Sequence, residues 1–76
     1  MVKRSRVKFS PGNLRRRREE MGLSRERLAR VLGPSTSTVQ RWELGESEPT
    51  ASVFLNLSQI LRAEPALFAE VERVAS

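Results

Sequence analysis

The chain has 76 residues, 38% hydrophobic and 30% charged, with a formal net charge of +5, which leaves room for one globular domain whose core is small enough to gain from association. It contains no cysteine and no histidine, which excludes disulfides, zinc-finger spacings, thiol nucleophiles and imidazole bases; none of its nine carboxylates has the setting of a buried pair, and neither enzymatic activity nor a cofactor or metal is expected of so small a chain. No apolar run approaches the ~20 residues of a membrane span, and the basic N-terminus has no apolar stretch behind it, so neither a membrane nor a secretory signal is expected, and a cytoplasmic, nucleoid-associated location is.

Residues 1–9 carry Lys3, Arg4, Arg6 and Lys8 with no helical period, and read as an extended basic arm, flexible without a partner. The alternation of Val7 and Phe9 with Arg6 and Lys8 also admits a short strand. Ser10-Pro11 starts a helix over about residues 11–21, stopped at Gly22. Its apolar stripe is narrow, Leu14 and Met21 only, beside the block Arg15–Arg18. Ser24 caps a second helix, about 25–32, in which Leu28, Ala29, Val31 and Leu32 fall at helical spacing before Gly33-Pro34. Ser35 caps a third, about 36–44, ended by Gly45. Within it Val39 and Trp42 face inward, leaving Thr36, Ser37, Gln40 and Arg41 outward. Thr50 opens a fourth helix, about 50–61, with Val53, Phe54, Leu57, Ile60 and Leu61 as its core stripe. Pro65 opens a fifth, about 65–74, with Leu67, Phe68, Val71 and Val74 apolar. The expectation is an all-α, compact five-helix bundle occupying residues 10–76.

Charge is unevenly spread. Residues 1–42 hold twelve Lys/Arg against three Glu, and residues 43–76 hold two Arg against six Glu, so one side suits a polyanion and the other does not. Two short helices joined by a glycine-containing turn, with the small Ala29 at their crossing, are what a helix-turn-helix requires. The start of the third helix offers short hydroxyl side chains, and Gln40 and Arg41 can bond adenine and guanine edges in bidentate fashion. The plainer reading makes the serines and threonines caps, and Gln40 and Arg41 solvent residues.

The run Gly22-Leu23-Ser24, Leu28-Ala29, Gly33, Ser35, Thr38-Val39, Glu43, Gly45 and Pro49 resembles the xenobiotic-response-element (XRE), Cro/cI-type helix-turn-helix family, over about residues 10–72. The resemblance implies a lambda-repressor-like DNA-binding bundle acting as a transcriptional regulator, a repressor of bacterial or phage type. Carried over, it implies base contacts from Thr36, Ser37, Gln40 and Arg41, and phosphate contacts from Ser24, Arg25, Ser35 and Thr38. Position 25 is usually glutamine in that family, and a cation there can hold a phosphate at least as well. Arg18 and Glu43 match a family ion pair, whereas Arg17 stands where an apolar residue is common. Lys3 and Arg4 of the arm are expected to add phosphate contacts.

The expected partner is double-stranded DNA carrying a pseudo-palindromic operator, bound by a homodimer that meets through Phe68, Val71 and Val74. The stretch from Leu57 to Phe68 is more loosely similar to HigA/MqsA-type antitoxins, which makes binding to a toxin protein the alternative. Non-specific nucleic-acid binding through the Arg15–Arg18 block and the arm is a further one.

Overall fold

Serines and glycines set the helix limits. The structure, a computed structural model, describes residues 5–73, and the side chains of residues 7–70. In chain order the elements are β1 (Ser5–Phe9), α1 (Pro11–Glu20), α2 (Arg25–Leu32), α3 (Thr36–Leu44), α4 (Ala51–Ile60), a 3-10 turn (Pro65–Phe68) and β2 (Ala69–Arg73). The hydroxyls of Ser10, Ser24 and Ser35 accept hydrogen bonds from the backbone N–H groups of Asn13, Arg27 and Thr38, at 3.4, 3.0 and 3.2 Å. Each thereby satisfies a donor that the first helical turn leaves open. Gly33 closes α2 and Gly45 closes α3 with φ of 105° and 77°, a left-handed geometry that costs an L side chain about 1–2 kcal/mol.

The core draws on β1, the four helices and the 3-10 turn. Leu14 of α1, Leu28 of α2, Val39 of α3, Leu57 of α4, and Leu61 and Phe68 beyond it are fully buried, with Phe9, Ala29 and Trp42 nearly so. Phe54 makes edge-to-face contacts with both Phe9 and Phe68, centroids 6.3 Å apart in each pair, so the two chain ends close over α4.

Two expectations are corrected here. The described residues contain four α-helices and a two-stranded sheet rather than five helices. The segment expected as a fifth helix is a short 3-10 turn followed by β2, antiparallel to β1 with Val7 opposite Val71 and Phe9 opposite Ala69. The flexible arm over residues 1–9 is, from Ser5 onward, strand β1; Lys3 and Arg4 lie outside the described residues. The reason is non-local. Ala69–Glu72 alternates apolar and acidic residues, and the register sets Glu70 opposite Lys8 and Glu72 opposite Arg6, a pairing of opposite charges that stabilises a ladder. Read alone, Leu67, Phe68, Val71 and Val74 fit a helical period equally well.

Hydrogen bonds from the start of α1 tie it to the 3-10 turn and to β2. The Ser10 N–H donates to the Phe68 carbonyl at 2.8 Å, the Ser10 hydroxyl to Glu70 at 2.9 Å, and the Asn13 amide to the Leu67 carbonyl at 2.8 Å. None of the described helices is long and apolar enough to cross a membrane.

Candidate nucleic-acid interface

Helices α2 and α3, joined by Gly33-Pro34-Ser35, form the motif. Ala29 is 4% exposed, and a small side chain there lets α2 and α3 approach closely. Val39 and Trp42 anchor α3 from below, at 0% and 4% exposure. Because they occupy its inward face, Ser37, Gln40 and Arg41, three and four residues apart, stand exposed on the other side, with Thr36 half-buried at the start. Leu44 continues that row and is 60% exposed.

The residues expected at phosphates gather around the two helix starts. Ser24 and Ser35 are the N-caps of α2 and α3. The Ser35 and Thr38 hydroxyls lie 3.0 Å apart and share one hydrogen bond. Arg25, the first residue of α2, directs its Nε to Glu43 at 3.0 Å.

Glu43 organises the interior of the motif. Its carboxylate accepts from Arg18 Nε at 2.6 Å and from Arg18 Nη2 at 3.1 Å, while Arg18 Nη1 donates to the Leu23 carbonyl at 2.8 Å. The side chains of Arg18 and Glu43 are 8% and 1% exposed. This bidentate, shielded geometry is the strong form of the pair. Burial by itself pushes the Glu43 carboxyl up, but the hydrogen bonds and charges of Arg18 and Arg25 together outweigh it and hold the group below the usual carboxylate range. The hydrogen bond with Glu43 likewise raises the Arg18 guanidinium, against the lowering effect of burial.

Three features of this region escape a reading of the sequence alone. One is the link from Arg25 to Glu43, eighteen residues away. Another is Arg17, which donates from Nε to the Leu61 carbonyl at 2.8 Å and from Nη2 to the Arg62 carbonyl at 3.2 Å. It caps the C-terminus of α4 with a cation, where both the open carbonyls and the helix dipole favour one. The third is Phe68, expected in a dimer contact but 0% exposed in the core, so it offers no surface to a partner. Val71 is described here only through its backbone pairing, and Val74 lies outside the described residues.

Residues 14–68 match the family model described as helix-turn-helix, and the chain belongs to that family, a class of DNA-binding transcription regulators. Among solved structures it is similar to the P22 c2 repressor in complex with a synthetic operator, with a TM-score of 0.73 and 27% identity over 80% of this chain and 94% of that one. It is also similar to the solution structure of the P22 c2 repressor DNA-binding domain, with a TM-score of 0.72 and 28% identity over 79% and 80% of the two chains. No curated protein sequence matches the chain significantly.

Proposed function

We propose that the chain is a sequence-specific repressor that binds a pseudo-palindromic DNA operator as a homodimer. The observation that carries this reading is the exposed row Ser37, Gln40 and Arg41 on a helix pinned by Val39 and Trp42. A fixed helix with bidentate side chains on its free face suits a major groove. Thr36, Ser37, Gln40 and Arg41 then read base edges. Phosphates fall to Arg25, to the Ser24 hydroxyl proton, and to the proton left over when Ser35 and Thr38 share one hydrogen bond. Lys3 and Arg4 add charge from the N-terminal side.

Phe68, being buried, drops out of the proposed dimer contact, and we add to that contact a surface next to β1. The groove between β1 and α4 is lined by Val7, Phe9, Pro49, Phe54 and Leu55, with Val7 and Leu55 70% and 56% exposed. We take a second copy of the chain to cover it. A two-fold contact would bury these apolar side chains against the same patch of the second copy. The toxin-binding alternative draws on Leu57–Phe68, of which Leu57, Leu61 and Phe68 are fully buried while Leu67 is 42% exposed.

Gel shifts with Arg41→Ala test the assignment of base reading. The variant should lose about 1–3 kcal/mol on its preferred duplex and little on random-sequence DNA. An equal loss on every sequence makes Arg41 a phosphate contact and removes it from base reading.

A further inference from the structure

Arg25 is tied differently from the other arginines of the motif. Arg27, Arg30 and Arg41 are exposed, whereas the Arg25 side chain is 37% exposed and its Nε is bound to a carboxylate that is itself 1% exposed. That carboxylate cannot shift, because Arg18 holds both of its oxygens from α1. One Glu43 oxygen, Oε1, accepts from Arg18 and Arg25 together. The trio of two arginines and one glutamate keeps a net charge of +1, so the pairing does not cancel the attraction of this corner for an anion.

A guanidinium is a planar fork of five donors, and a single bond at Nε leaves the two Nη groups on its outer edge for a second partner. We propose that Arg25 is a split fork, held at Nε by Glu43 and closing on a DNA phosphate with its Nη edge. Glu43 is then a positioning residue for DNA affinity, although it touches no DNA. The inference rests on Arg25 being a phosphate contact, as proposed above. What it adds is the mechanism. The rotamer freedom of a long side chain is surrendered on folding rather than on binding, which strengthens the contact. The core ion pair and the grip on DNA thereby become one unit. A lysine keeps the charge but has a single ammonium, which must choose between Glu43 and the phosphate.

The test compares Arg25→Ala and Arg25→Lys on a labelled mixed-sequence duplex of about 30 base pairs, three helical turns, titrated at several salt concentrations. Both substitutions leave the Arg18–Glu43 bonds in place, and unfolding followed by Trp42 fluorescence verifies that both variants are folded. Arg25→Ala should weaken binding about tenfold, the scale of one charge-assisted hydrogen bond, and lower the salt slope by about 0.9, one phosphate's worth. Arg25→Lys should fall closer to Arg25→Ala than to wild type in both readouts. If lysine instead falls closer to wild type while alanine is weakened, Arg25 acts as a point charge and the positioning role of Glu43 is wrong. If alanine binds like wild type, the phosphate contact itself is wrong, and the split fork goes with it.

Discussion

Replacing Arg18 with alanine removes three hydrogen bonds at once, two to Glu43 and one to the Leu23 carbonyl. Glu43 remains in place, 1% exposed, with Arg25 as its remaining cation. Stranding a buried charge typically costs about 3–5 kcal/mol, and because the Arg25 bond survives we expect the lower end, about 3 kcal/mol. A small domain has about 5 kcal/mol to lose, so Arg18→Ala should be folded only marginally. At about 4–8 °C per kcal/mol for a domain of this size, its Tm should fall by about 12–24 °C. Replacing both partners with apolar residues of similar volume, Arg18→Met with Glu43→Leu, should recover most of that loss, since the stranded charge is then gone. The chain's single tryptophan, Trp42, is buried next to Glu43 in sequence and reports unfolding in urea by its fluorescence. Midpoints should move while the slope with urea stays constant. A loss below about 1 kcal/mol for Arg18→Ala, or a double variant less stable than the single one, refutes the reasoning.

The same network sets an acid limit: Glu43 is held below its ordinary value of 4.5, so its contribution is complete above that pH and is lost as pH falls through the folded value; acid unfolding of Glu43→Gln should be shallower below pH 4.5, and an unchanged profile would falsify this. Arg17→Met should lower stability by about 1–2 kcal/mol, less than a fully buried charged hydrogen bond because the side chain is 27% exposed; an unchanged Tm removes its role in capping α4. Phe68→Ala should cost about 3–5 kcal/mol of folding stability, measured by thermal unfolding, whereas a folded variant that has merely dissociated would restore Phe68 to an interface. Leu55→Asp, at an exposed position, should leave the fold of the monomer intact and shift the species seen by sedimentation to the monomer; a dimer that persists moves the contact elsewhere.

What was legible in the sequence was local. Ser10-Pro11, Ser24, Ser35, Gly33 and Gly45 act within a turn of their own positions, and they mark the limits of α1, α2 and α3. Helical phase carries inward side chains too, Leu14 and Met21 of the first helix among them; that Arg18 among four consecutive arginines turns inward came from the family ion pair with Glu43, and its place four residues after Leu14 agrees with it. What failed depends on contacts distant in sequence. β2 exists because β1 lies alongside it, some sixty residues back. Arg17 binds carbonyls more than forty residues on. Phe68 suits a helix stripe or a core position equally by composition, and its closeness to Phe54 decides between them. Positions 36, 37, 40 and 41 followed from the phase of α3 against Val39 and Trp42; Ser37, Gln40 and Arg41 are exposed as that phase implies, and Thr36 is half-buried.

The central claim is that this face reads DNA sequence. Selection of bound molecules from a random duplex library, with the wild-type chain at physiological salt, tests it most directly. The expected result is enrichment of a pseudo-palindrome with two half-sites about one helical turn apart, around 10 base pairs centre to centre. Tight, salt-dependent binding with no enriched sequence would contradict it, leaving a basic surface that holds phosphates and reads nothing.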